Sequence, residues 1–161
     1  MAQARNPVLY ADFGVADTVD GRFEMVVLHA VLVIDCLQKG GEAEKAAAQK
    51  VFDLFCTDMD RSLRELGVGD LGIPKRMKQM TERFYGRAQA YRTAFEGADH
   101  GGMIDVLSRN VFGGPAEGAE PLAAYALASS EALAAAPDNL LHGGTLRFAD
   151  PASYVPGRAP A

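Results

Sequence analysis

The densest run of reactive side-chain types lies between Val51 and Tyr91, VFDLFCTDMDRSLRELGVGDLGIPKRMKQMTERFYGRAQAY. Ser62 could act as a nucleophile only beside a base that takes its proton, and the run contains no histidine. The glycines of GVGDLGI, Gly67, Gly69 and Gly72, could cradle a phosphate, but their spacing matches neither GxxxxGK[ST] nor GxGxxG after a strand. Helix-stop and turn positions explain them better. Outside the run, His29, His100 and His142 are far apart, and no pair has metal-ligand spacing. Glu24 and His29 stand five apart, so the Glu-x-x-His unit of di-iron bundles is absent, and His29 reads as a satisfied core histidine. Cys36 and Cys56 lie twenty apart without a CxxC pair and read as buried free thiols suited to a reducing compartment. No catalytic residue, metal or cofactor is assigned.

The charge therefore calls for another explanation. From Pro74 to Arg92 there are six bases, Lys75, Arg76, Lys78, Arg83, Arg87 and Arg92, against the single acid Glu82. This segment carries +5, which leaves −10 for the rest of a chain whose net charge is −5. A basic face on an acidic body can meet phosphates, a lipid surface or an acidic protein, or it can pair internally. The overall acidity speaks against a general nucleic-acid binder.

The elements that must position these side chains are helices. Alanine, leucine and methionine dominate, apolar spacing follows three and four, and alternation with period two is nearly absent. The chain of 161 residues fits a single all-α domain. Asn6 and Pro7 resemble an N-cap and first helical position, with Gly14 ending a short helix. The segment from Arg22 to about Gln38 is apolar almost all round and predicts a long helix at the centre of a bundle. Helices from about Glu42 to Leu66 and from Pro74 to about Gly97 should form an antiparallel hairpin, with Gly67 as a C-terminal stop. MIDVLSRNVF predicts a short helix, LAAYALASSEALAAA a last one, and the Gly/Pro-rich tail from about His142 little regular structure. The longest apolar run, MVVLHAVLVI, is about half the ~20 residues that span a bilayer, and the N-terminus lacks a signal-peptide pattern, so a soluble protein is expected.

On a helical wheel, Asp58 and Ser62 fall on the inner face of their helix, and Asp60 and Arg64 on the outer one. A buried carboxylate needs a partner, and Arg76, Arg83 or Arg87 of the next helix could supply it for Asp58. Asp58, Asp60, Arg61, Arg64 and Glu65 form a candidate structural ion-pair network. Lys75 and Lys78 point outward, whereas Arg83 and Arg87 suit packing. Gly86, inside a helix, predicts a close helix crossing.

These same blocks, GVADTVDGRFEMVVLHAVLV, FDLFCTDMDRSLRELGVGDLGIPKRMKQM, FYGRAQAY and LSRNVF, resemble successive signatures of the ubiquinol-cytochrome c chaperone family. The resemblance runs over about residues 7 to 112 and is loose in the Ala-rich region beyond. The family's characteristic positions fall on Gly21, Arg22, Phe23, Glu24 and His29, on Asp58, Asp60, Arg61, Arg64, Glu65, Gly67, Gly69 and Asp70, and on Lys75, Arg76, Lys78, Tyr85, Gly86 and Arg87. Family members usually carry a further basic stretch upstream of the point where Met1 stands, which implies a shortened N-terminus here.

The resemblance implies a non-enzymatic assembly factor for cytochrome b of respiratory complex III, working as a monomer near the ribosome or an anionic membrane surface. Its expected place is the bacterial cytoplasm, peripheral to the inner membrane, or the matrix side in a mitochondrion. Lys75, Arg76, Lys78, Arg83, Tyr85 and Arg87 are then the candidate client- or membrane-binding residues. The rival reading is a helical regulator that binds nucleic acid through the helix after Pro74, although only Gln79 and Gln89 are available there to read bases.

Overall fold

The computed structural model describes residues 2–135 and 146–157. Six helices follow in order: α1 (Pro7–Ala11), α2 (Val19–Gln38), α3 (Glu42–Glu65), α4 (Ile73–Glu96), α5 (His100–Leu107) and α6 (Ala119–Ala134). Single 3-10 turns at Gln3–Arg5 and Pro151–Tyr154 and a π turn at Ser108–Phe112 complete the described residues, among which there is no strand. The fold is all-α, as the periodicity predicts.

Helix α2 packs against α3, α4 and α6. Fifteen of its twenty residues are buried, so any polar group it carries must find a partner inside the protein. It begins three residues before the expected Arg22, because Thr18 caps it: the Thr18 Oγ1 accepts a hydrogen bond from the Gly21 N–H at 3.1 Å. Gly21 must be glycine, since a Cβ there would collide with the carbonyl oxygen of Ala16.

Helices α3 and α4 are antiparallel neighbours. Phe55 meets Phe84 with ring centroids 4.8 Å apart, Phe52 meets Phe84 at 5.1 Å and Tyr85 at 5.5 Å, and Leu63 and Met80 line one cleft nearer the turn. Residues 66–72 join them through specific chain-end chemistry. The Gly67 N–H donates to the Arg64 carbonyl and the Val68 N–H to the Leu63 carbonyl, with Gly67 at φ +80°, a left-handed cap that glycine tolerates best. A tight turn follows, closed by the Gly72 N–H on the Gly69 carbonyl at 2.8 Å.

Two expectations change. Gly86 is exposed with open space where a Cβ would stand, so it makes no close crossing. The close approach falls instead at Gly118, whose Cβ would strike the Phe13 carbonyl oxygen. Cys36 and Cys56 are free but only half-buried, and partial burial raises both thiol pKa values. The stretch read as one short helix is α5 continued by the π turn, which ends at Gly113 with φ +74°. His142 lies outside the described residues. Residues 146–157 dock on the bundle: Phe148 stands edge-on to His29 at 5.3 Å, Tyr154 to Tyr125 at 6.4 Å, and the Ala149 N–H donates to Ser129 Oγ.

Candidate functional site

The polar centre of the bundle is Glu24. It projects from α2 with only 3% of its side chain exposed and is held by two arginines of α4. Arg83 Nη2 donates to Oε1 at 2.7 Å, while Arg87 donates through Nε to Oε2 at 3.1 Å and through Nη2 to Oε1 at 3.0 Å. The Arg87 contact is a two-point guanidinium–carboxylate pair, which fixes geometry as well as charge. Arg83 also donates to Asp20 at 3.0 Å and lies 4.6 Å over the Phe23 ring. Burial works against the Arg83 charge, yet the carboxylates of Glu24 and Asp20 outweigh it and raise the pKa.

Eleven residues further along α2, on the same face, Asp35 is 5% exposed and bonded by Lys39 at 2.7 Å, with Arg92 of α4 at 3.7 Å. The α2–α4 seam is therefore pinned by charge at two heights. Between them, the buried Tyr91 hydroxyl makes no hydrogen bond of normal geometry among the described residues, and burial, with Glu24 adding to it, raises the phenol pKa against a weaker opposing pull from Arg87 and the nearby Asn110 side chain.

The acids and bases of α3 form a separate, more exposed ladder. Asp58 pairs with Arg61, Asp60 with Arg64 at 2.8 Å, and Arg64 again with Asp70 at 2.7 Å, while Glu65 stands 4.0 Å from Arg61. Asp58 thus does not pair with an arginine of α4, because Glu24 engages Arg83 and Arg87 and because Asp58, with 20% of its side chain exposed, reaches Arg61 one turn on. A pair such as Asp58–Arg61 contributes roughly 0.2–1 kcal/mol. Asp58→Asn is accordingly expected to lower Tm by less than about 4 °C in a circular-dichroism melt, and a much larger loss would contradict this placement. Ser62 Oγ donates to the Asp58 carbonyl one turn back.

Around the hairpin turn the arrangement opens into a cleft. A volume of about 830 Å³ is lined by Val19, Phe23, Leu63, Leu66, Val68 and Met80, with Arg76, Gln79, Arg83 and Arg87 on the α4 wall. A second volume of about 300 Å³ shares Val19, Phe23, Leu63, Leu66 and Met80 and continues past Tyr10, Arg22 and Asp58. Val19 and Leu66 are 63% and 59% exposed, so this cleft has an apolar floor open to solvent. Arg76 is exposed on its α4 side, and Lys75 and Lys78 are exposed on the same first turns of α4. Among the described residues Lys75 and Arg76 have no ion-pair partner, and Lys78 has only Glu82 at 3.9 Å. Tyr85, 59% exposed, belongs to a different surface with Phe52.

At the other side of α2, His29 is sealed in. Its Nδ1 lies 2.7 Å from the Met25 carbonyl, which can only accept, so Nδ1 carries the proton and Nε2 accepts from the Tyr125 hydroxyl at 2.7 Å. Gln3 donates to the same hydroxyl. Burial lowers the His29 pKa to about 4, so the ring is neutral at pH 7. Among the described residues there is no group of three or more His, Cys, Asp or Glu side chains disposed to hold a metal ion.

Against known families, residues 11–148 match the ubiquinol-cytochrome C chaperone description. The chain belongs to that family. The match extends beyond the signature blocks and takes in α6 and the docked Phe148. The crystal structure of the Cbp3 homolog from Brucella abortus superposes with a TM-score of 0.85 at 39% sequence identity, over 93% of this chain and 84% of that one. A comparison with curated proteins gives no match. In this family member the buried acid that joins α2 to α4 is Glu24, held by Arg83 and Arg87, and the residue-level reading missed it. The signal was present: Glu24 and Asp35 are two acids on one face of an otherwise apolar helix, and the excess bases of α4 were the groups to match them.

Proposed function

We propose that this protein is a non-enzymatic chaperone for cytochrome b during assembly of respiratory complex III, and that the cleft at the α3–α4 turn receives an apolar segment of that client. Membership of the chaperone family supports the reading, and the observation that carries it is the cleft. Its apolar floor is open to solvent, its α4 wall is rigid because Glu24 holds Arg83 and Arg87, and its edge carries the unpaired bases Lys75 and Arg76. An open apolar surface beside a cluster of bases is the feature a transient protein partner needs. Asp20, Glu24, Arg83 and Arg87 beside the cleft are already committed to ion pairs, so they position α4 and do not need to react.

In this account Lys75, Arg76 and Lys78 steer the encounter, and Arg83 and Arg87 shape the wall. The chaperone acts as a monomer on the cytoplasmic face of a bacterial inner membrane, or on the matrix face in a mitochondrion. Among the described residues no helix is long and apolar enough to cross a membrane. Tagged protein recovered from detergent-solubilised native cells should enrich cytochrome b and other complex III subunits. Lys75→Glu with Lys78→Glu should keep the fold and reduce that enrichment, and added salt should weaken the unmodified complex, since the screening length is about 8 Å at physiological ionic strength. Enrichment of DNA or RNA in place of complex III subunits would contradict the proposal.

A further inference from the structure

Away from the hairpin turn, a separate hollow of about 440 Å³ opens between the last turns of α2, the first half of α3 and the second half of α4, and it shares no lining residue with the client cleft. Part of its lining is aromatic. The Phe52 ring centroid lies 5.1 Å from that of Phe84 and 5.5 Å from that of Tyr85, and Tyr85 is largely exposed. The rest is polar, with Gln38, Lys45, Gln49 and Arg92 around the buried Ile34 and Ala48. Tyr85 and Arg92 stand seven residues apart on one face of α4, about 10.5 Å along its axis. Arg92 is the unfinished group. Its Nε is buried without a hydrogen-bond partner, its ion-pair neighbour Asp35 is 3.7 Å away, beyond hydrogen-bond range, and Asp35 already accepts from Lys39 at 2.7 Å. A buried donor left unmade is costly, and a guanidinium fork suits an acceptor that offers two oxygens.

We infer that this hollow binds a small aromatic monocarboxylate, whose ring lies against Phe52 and Tyr85 and whose carboxylate accepts from the Arg92 guanidinium. The size fits, since small-molecule sites enclose roughly 300–1,000 Å³ and combine apolar walls with a few polar groups that fix orientation. Charge selects the class. Lys39 pairs with Asp35 and Glu42 with Lys45, so among the described lining side chains Arg92 brings the one unmatched charge, which suits a single carboxylate better than a phosphate dianion. The lining residues Gln38, Lys45 and Gln49 are exposed. An apolar protein segment laid over the hollow would strip water from them, whereas a small amphiphile leaves them wet and supplies the acceptor that Arg92 lacks. Because α2, α3 and α4 all contribute to the lining, an occupant bridges three helices and stabilises the folded chain by linkage.

Fluorescence anisotropy of 2-naphthoate, titrated with the full chain in the absence of any client, tests this. Binding should saturate at one site, and the neutral 2-naphthylmethanol should bind on the order of tenfold more weakly or worse. Arg92→Gln should weaken 2-naphthoate by about tenfold or more, and Tyr85→Ala by roughly threefold to tenfold. Arg92 also faces Asp35, so a third variant leaves that pair untouched: Gln38→Glu, at an exposed position, sets a like charge beside the carboxylate and should weaken binding as well. Arg76→Gln, on the client cleft, should bind as wild type. At a hundredfold excess over Kd the probe should raise Tm by about 5–10 °C in wild type and less in the three weakened variants. Circular-dichroism melts without probe verify each fold. No saturable binding up to millimolar 2-naphthoate, equal binding of the alcohol, or binding insensitive to both Tyr85→Ala and Gln38→Glu overturns the inference.

Discussion

Arg87→Ala is expected to lower the melting temperature by roughly 10 °C at pH 7. The substitution removes the two-point partner of a carboxylate that is 3% exposed and leaves it with Arg83 alone. Breaking a buried pair on one side costs about 3–5 kcal/mol, because the surviving charge cannot regain its hydration. For a chain of this length, each kcal/mol moves Tm by about 2–4 °C. Arg83 shares the load, so the lower end of the cost applies to the single variant, and Arg83→Ala with Arg87→Ala should cost more than either alone. The sign of the coupling is the sharper test. Glu24→Gln removes the stranded charge, so Glu24→Gln in the Arg87→Ala background should recover part of the lost stability. Strict additivity in that double-mutant cycle, or a Tm unchanged by Arg87→Ala, would contradict the placement of Glu24 as the pin between α2 and α4.

Acidification should unfold the protein through His29. Its folded-state pKa, lowered by burial to about 4 from 6.5, means that the folded protein excludes a proton that the unfolded chain accepts. The neutral ring therefore contributes its full stability above pH 6.5, and this contribution is lost progressively as pH falls from 6.5 toward 4. The loss amounts to on the order of 3 kcal/mol across the window. Protonation would also turn Nε2 into a donor facing the Tyr125 hydroxyl, which would then have to reorient against the donor Gln3. His29→Gln, which cannot titrate, should have a lower Tm at pH 7 but a flatter dependence on pH between 7 and 4. Parallel pH profiles for wild type and His29→Gln would refute the assignment.

The helices were legible because their period is a strong signal. The Met and aromatic stripe of α4 repeats over about five turns and the inner row of α3 over about four, and Gly67 and Pro74 mark the turn between them. Boundaries set by side-chain capping were harder to read. The start of α2 depends on one hydroxyl, Thr18, ahead of the apolar run, and the π turn after α5 has no period of its own. The ion pairs were the least legible part. A wheel assigns a carboxylate to a face, but only the packing of α2 against α4 brings Glu24 to Arg83 and Arg87, and Asp58 was selected over Glu24 because α2 looked uniformly apolar. Gly86 was misleading for the same reason: glycine inside a helix signals close approach only where another backbone arrives, as Ala16 does at Gly21, and none arrives at Gly86. The cleft needs three chain segments, at Val19, Leu63–Val68 and Arg76–Arg87, to be seen together.

The most direct test of the chaperone account is the amount of assembled complex III in cells of the native host that lack this protein. Membranes from such cells are resolved by native electrophoresis, and the b-type haem is read from reduced-minus-oxidised spectra. The account predicts loss of assembled complex III and of its cytochrome b signal with other respiratory complexes retained, restored by the wild-type chain and poorly by the folded Lys75→Glu, Lys78→Glu variant. Normal complex III and a normal cytochrome b signal in those cells would contradict it.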